Sequence, residues 1–435
     1  MSVTASSANL GARLLAACLA GAALVLAAVT ATGAPAVLLR DGVIHTESSR
    51  GTLTAASVLI VGGKVTAIGP DLVAPAGATV IELHGKPVTP ALFGGIGMLG
   101  VEEVTEEGTT IDGVLKLGQM RPEFDPSLAF NPDSIPVGVS RAEGIGFAVV
   151  AAGAEAGRRG AAGSSVLAGQ ASVVRLDGRA PRPPVALSFV SGADGGALAG
   201  DSRAAAYMLL AQALEESRNP AAATSMDAHL LTPAGRRVIK GVVAEQKPVL
   251  VEADRASDIR TVVELAQRQK LHVVIQGGAE AWRVAGFLAH ADVPVVLDPL
   301  DDLPESFDSI GATLENAARL HAAGVTIAFS LRDSDPHNIR KLRQAAGIAV
   351  AHGLSWDAAL SAITSTPARL FRATNEFGSI EVGKPANLVV WTGDPLEVTS
   401  LVDTAWLDGE RASLRSRQTE LRDRYVPKVK AGTAR

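Results

Sequence analysis

Eight histidines, forty-five aspartates and glutamates and a single cysteine are the groups with which this 435-residue chain could hold a metal or move protons. No two histidines stand in an H-x-H or H-x-x-x-H arrangement, so spacing alone gives no pair able to share one ion. His45 and His84 sit among short strand-like runs, His272 opens a strand, and His290, His321 and His352 fall at helix ends, where contact with the helix dipole is the ordinary role. His229 and His337 lie in loops and stay as candidates. Carboxylates gather in two places: Glu102, Glu103, Glu106 and Glu107, and then Asp298, Asp301, Asp302, Glu305 and Asp308. Either group is an oxygen-only calcium or magnesium site or a solvated acidic loop. The glycine-rich run from Gly157 to Ser165, with Arg158 and Arg159, has the look of a phosphate cradle but lacks the P-loop lysine.

The elements that must position these groups show most clearly after Pro248. Val249 to Val251, Val273 to Ile275, Val293 to Leu297 and Val325 to Phe329 are short apolar strands. Helical patterns separate or follow them: one capped by Ser257, then Ala281–Ala289, Thr313–Ala322, Asn338–His352 and a last one from Ser355 through Leu370. Strands apolar throughout, alternating with amphipathic helices, predict a parallel sheet buried on both faces, which closes as a (β/α) barrel. From Ala36 to Lys86, β-branched runs broken by Asp41-Gly42, Gly62-Gly63 and Gly69-Pro70 read as a meander too small to bury itself. The segment from Gly100 to Glu245 reads as barrel strands with an irregular insertion, and Leu414–Tyr425 as a charged tail helix.

A 47% hydrophobic, 20% charged composition supports a sizeable core, and a net charge of −5 with 4% aromatics gives no footprint for nucleic acid. Residues 1–34 read as a secretory leader: Arg13, an apolar run from Leu14 to Val29, then small residues to Ala34. That predicts a periplasmic or secreted protein with no integral membrane domain after cleavage, the alternative being an uncleaved N-terminal membrane anchor. Without the leader no cysteine remains, since Cys18 is the only one, which excludes disulfides and thiolate metal sites.

The run Ser57–Pro70, continued by Ala78–Pro87 and Val88–Gly100, resembles the amidohydrolase superfamily, in particular its imidazolonepropionase-like branch. Gly378–Trp391 is similar to the G-S-I-E-x-G-K-x-A-D-L-V-V ending of the same superfamily, with Asn387 at the usual aspartate. Asn131–Ser134, Arg141–Ile145 and Ser164–Gly169 resemble a subgroup that lacks the H-x-H pair. The resemblance implies an α/β fold: a TIM-like (β/α) barrel over 89–375, and a small discontinuous β-sandwich formed from 35–88 and 376–435, with the tail helix at its end.

In that superfamily one or two divalent ions, usually zinc, are held at the barrel mouth by an H-x-H pair, a carboxylated lysine or glutamate, two more histidines and an aspartate, and they activate a water. Aligned on Pro90 and Leu92, this chain has Gly94 at an aspartate position and Ile96 and Met98 at the paired histidines. Glu252 stands near another histidine position, and Gln276-Gly277 replaces a Glu-His pair. Asp335 matches the proton-shuttling aspartate. Asp335, Glu252 and Gln276 are therefore the candidate catalytic residues; Ile96, Met98 and Gly277 are degenerate ligand positions, and no bound metal is expected. The expected function is a catalytically attenuated or inactive barrel that binds a small molecule or a partner, a homo-oligomer being one such assembly. The alternative is an active hydrolase of non-peptide, cyclic-amide C–N bonds working through Asp335 and a rearranged site.

Overall fold

A computed structural model describes residues 35–157, 162–220, 229–332 and 335–432. The leader with Cys18, part of the Gly157–Ser165 run, Asp333 and Ser334 lie outside the described residues.

Two eight-stranded sheets carry the fold. The first joins both ends of the chain: β1 (Ala36–His45), β2 (Thr52–Val61), β3 (Lys64–Gly69), β4 (Thr79–Glu82) and β5 (Pro87–Pro90), with β14 (Leu388–Trp391), β15 (Val402–Leu407) and β16 (Glu410–Arg411). Its order is β16-β15-β14-β5-β1-β2-β3, with β4 also on β1. The seam between the chain ends is the antiparallel pair β14–β5, which sets Leu388 opposite Pro90 and Val390 opposite Val88. Neither end could bury its apolar residues alone. Together Leu39, Ile44, Val58, Ile60, Leu388, Val390 and Trp406 make one core.

The second sheet is the barrel, in chain order: β6 (Leu92–Gly97), β7 (Ile145–Ala151), β8 (Leu167–Arg175), β9 (Ala186–Val190), β10 (Val249–Ala253), β11 (Val273–Gly277), β12 (Val295–Leu297) and β13 (Ile327–Phe329). Seven strands run the same way and β8 runs against them. The strands after Pro248 are parallel, as expected, and the reversed strand lies in the segment from Gly100 to Glu245 that reads as irregular. The links 152–166 and 176–185 hold no helix among the described residues, whereas a parallel neighbour is reached by a crossover that is usually helical. Reversal carries Arg175 to the floor of the barrel, where it pairs with Asp177 and Glu376 beneath Phe147 and Phe377. Between β6 and β13 the ring closes through a side chain: Ile96 N donates to Ser330 Oγ at 2.9 Å, and that hydroxyl lies 3.2 Å from Ile96 O. A bulge at Gly94-Gly95, with Gly95 at φ +86°, lets the two strands approach this closely; a Cβ on Gly95 would stand 2.8 Å from Ser330 Oγ.

Several helix limits differ from the sequence expectation. The helix after β10 spans Ala256–Gln269 with Arg255, not Ser257, as its N-cap. Ser355 does cap its helix, donated to by Ala358 N, but that helix ends at Ala362 and a second, Ser365–Leu370, follows a break at Ile363-Thr364. The tail helix runs Arg417–Gly432, its start fixed by Thr419 N donating to Ser416 Oγ. No helix among the described residues is long and apolar enough to cross a membrane.

Candidate ligand site at the barrel mouth

The two-residue period of a strand decides which side chains reach the barrel interior. In β10, Val249 and Val251 pack outward against the helices while Leu250 points inward; in β11 the inward residue is Val274, in β12 Val296 and in β13 Ala328. Two residues beyond each apolar layer the same face presents Glu252, Gln276 and Ser330 at the carboxyl ends of the strands, where barrels of this kind carry their sites. There a cavity of about 410 Å³ opens, and Ile96, Met98, Glu252, Gln276, Gly277 and Ser330 all line it. Five of the six residues singled out from sequence thus come together. The sixth, Asp335, stands beside the cavity: its Oδ1 accepts from the hydroxyl of Thr105, a wall residue, at 2.7 Å.

Each degenerate position has a packing account. Gly94 is buried, and a Cβ there would come within 2.9 Å of Ile145 Cγ2, which leaves no room for an aspartate. Met98 lies in a slot cut by Gly113 and Gly153, either of which would strike its side chain if it carried a Cβ. Gly277 has φ +93°, and a Cβ there would stand 2.6 Å from Asp254 Oδ1 and 3.2 Å from Arg332 Nη1. The space beside Gly277 is filled by an ion pair, Arg332 Nη1 to Asp254 Oδ1 at 2.6 Å, with Asp301 Oδ2 at 3.8 Å.

Arg332 and Asp254 were missed from sequence, although both follow strand ends on the mouth side and carry opposite charge. Arg332 is held from behind as well, since its backbone N donates to Asp298 Oδ2 at 2.8 Å. Burial works against the guanidinium charge, but Asp254, Asp301 and Glu252 outweigh it and raise the pKa of Arg332. Burial also pushes the Asp301 carboxyl up to about 7, with Asp298, Asp254 and Glu305 adding repulsion and Arg332 opposing. Glu252 is raised for the same first reason, and no hydrogen bond to its carboxylate is made among the described residues.

Glu102 is the other group of note. It is 5% exposed, lines the cavity, and its Oε1 has no hydrogen-bond partner among the described residues. Burial raises its pKa, Thr105 opposing and Asp335 and Glu155 reinforcing.

The remaining candidates disperse. His229 Nδ1 sits 2.9 Å from Glu216 Oε1, a carboxylate also bound by Arg236 and the backbone N of Leu230, which is a helix-bracing cluster away from the mouth. His337 lies in the turn Pro336–Lys341 and is not a wall residue. Asp308 is committed to Arg203, and Glu107 caps its own turn through Thr109. Among the described residues no three His, Cys, Asp or Glu side chains converge to hold a metal. The mouth does not fit a zinc ion of the kind the resemblance implies. Its donors are three carboxylates that do not converge, Glu102, Glu155 and Glu252, and the Gln276 amide; two aligned positions are aliphatic or thioether, and a guanidinium already stands among them.

Residues 285–413 match the sequence profile of the amidohydrolase family. A 58-residue stretch is 38% identical to amidohydrolase tasK of Hapsidospora irregularis, a match spanning 13% of this chain and 6% of that relative. Among solved structures, the fold is similar to an amidohydrolase from Thermotoga maritima MSB8 at a TM-score of 0.76 and 23% identity, over 87% of this chain and 100% of that one. It is also similar to molinate hydrolase at a TM-score of 0.53 and 12% identity, over 88% of this chain and 95% of that one.

Proposed function

Taking as its premise that the chain belongs to the amidohydrolase superfamily, we propose that its barrel mouth is a small-molecule binding site in which an internal guanidinium has replaced the catalytic metal. The observation that carries this reading is the Arg332–Asp254 pair beside Gly277. The guanidinium and its carboxylate fill the space beside Gly277 that a ligating side chain would need, and the glycine itself supplies no ligand. With Ile96 and Met98 at the aligned histidine positions, no water is activated by the family's route, and the cavity is left as a binding pocket.

The test is metal analysis of the purified chain, with and without added zinc, together with a turnover screen on hydantoin, imidazolone and dipeptide substrates. Substoichiometric metal, no rise in melting temperature on adding zinc and no chelator-sensitive turnover are expected. Stoichiometric zinc with turnover lost on chelation overturns the reading.

A second reading, hydrolysis of a cyclic amide without metal, has one observation in its favour: Glu252 is a carboxylate with a raised pKa and no hydrogen bond, as a general acid or base requires. It would act with Asp335 and with the Gln276 amide, which is its register partner on the next strand. Turnover that survives a chelator and is lost in Glu252→Gln would establish it.

A further inference from the structure

We infer that the mouth cavity takes a small organic cation, an alkylammonium or guanidinium with a short apolar body, its charged head held between Glu102 and Glu252. The inference rests on the reading of the mouth as a metal-free binding pocket and names the ligand class that such a pocket selects.

Charge comes first. Arg332 is the cationic wall residue, and its charge is met by Asp254. Glu155 is the wall carboxylate with a lysine partner, Lys116 Nζ at 2.6 Å. No salt bridge reaches Glu102 or Glu252 among the described residues, and Glu252 feels the Arg332 charge only from beyond ion-pair distance. Asp335, engaged by the Thr105 hydroxyl, adds further negative charge behind Glu102. Among the described wall residues carboxylates therefore outnumber cations.

The second observation is independent of charge counting. A carboxylate oxygen removed from solvent costs free energy unless something donates to it, and buried polar atoms in folded proteins are nearly always satisfied. Glu102 lines the cavity, and its Oε1 is shut off from solvent with no hydrogen-bond partner among the described residues. Rotation of the carboxylate would present that oxygen to a donor arriving with the ligand. Glu252 and the carbonyl of Gln276, neighbours in register on β10 and β11, supply the further acceptors that an ammonium with three N–H groups needs.

The shape of the pocket limits the rest of the molecule. Ile96, Met98, Val114 and Val296 form apolar wall, and about 410 Å³ lies toward the small end of ligand pockets. A compact aliphatic body fits these walls, and a hard divalent cation, which demands a shell of oxygens, does not.

The experiment compares n-butylammonium with pentanoate and 1-pentanol, matched in size but anionic or neutral, on the chelator-treated full chain in phosphate buffer by titration calorimetry. Saturable binding of butylammonium, and weaker or no binding of the other two, is expected. Glu102→Gln and Glu252→Gln, which keep shape and remove charge, should each weaken butylammonium by about tenfold or more, the loss of one charge-assisted contact. Pentanoate or pentanol binding as well as butylammonium, no saturable butylammonium binding, or unchanged affinity in both folded variants overturns the inference. Should the variants fail to fold, the charge preference of the unmodified chain still decides. Metal content of the same sample separates the two claims. Stoichiometric zinc defeats the functional reading, whereas a metal-free chain indifferent to ligand charge defeats only the ligand class.

Discussion

In the sheet built from the two chain ends, Trp391 is fully buried and its Nε1 donates to Thr89 Oγ1 at 2.9 Å, while the Arg343 guanidinium lies over its ring and donates to three backbone carbonyls, Pro395, Glu397 and Ser400. In the barrel mouth, Glu102 is nearly as buried and its Oε1 receives no hydrogen bond among the described residues, while Glu252 lies on the wall with no donor among them. Both regions remove polar groups from water. The first satisfies most of them within the chain, Arg343 Nε and Thr404 Oγ1 being left without a partner among the described residues; the second leaves carboxylate acceptors open in a concave site, where a ligand can satisfy them.

The contrast can be broken from either side. The largest effect belongs to the sheet: Trp391→Ala should lower unfolding free energy by about 3–5 kcal/mol, because it empties a fully buried site at the seam of the chain ends. Chemical denaturation measures it, and a loss under about 1 kcal/mol would mean that the seam does not hold the fold together. Next is Gly277→Ala, which places a Cβ 2.6 Å from Asp254 at positive φ and should cost about 2 kcal/mol. Arg332→Met should cost less, about 1–2 kcal/mol, because it strands Asp254 but the guanidinium is 37% exposed and solvent already weakens the pair. If the ion pair is what fills the space beside Gly277, the double variant Gly277→Ala, Arg332→Met should cost less than the sum of the two, whereas strict additivity would separate glycine from pair.

The smallest effect is a pH dependence. Asp301 has a folded pKa raised to about 7, against an ordinary aspartate value of about 3.9 in the unfolded chain. The folded state therefore holds a proton that the unfolded state has released between those values, so this residue's contribution to stability is full below about 4 and is lost as pH rises to about 7. Asp301→Asn removes that loss. Its melting temperature should rise relative to the unmodified chain by about 1–2 °C at pH 8, with the difference vanishing near pH 4. A difference constant across that range would place the proton elsewhere.

Much of the barrel was legible because strand and helix periods are local properties. The run Val249-Leu250-Val251-Glu252 already states that three layers are apolar and the next inward position is charged, and the same parity reaches Gln276. Resemblance supplied Asp335, Ile96, Met98 and Gly277 by position. The Asp254–Arg332 pair joins residues 78 apart in sequence, and nothing local marks either as the other's partner. The reversed β8 was also hidden, since its apolar pattern is the same in either direction.

The family resemblance implied the return of the C-terminal strands to the N-terminal ones; by itself the sequence determined the alternation of strands and helices and the absence of paired histidines. These follow from side-chain type and period along a contiguous segment. The tertiary structure decided which charges meet: that a guanidinium occupies the mouth, that Asp254 neutralises it, and that Glu102 and Glu252 keep open acceptors. Coulomb and hydrogen-bond energies depend on through-space distance and local exposure, and those exist only once the ring has closed around them.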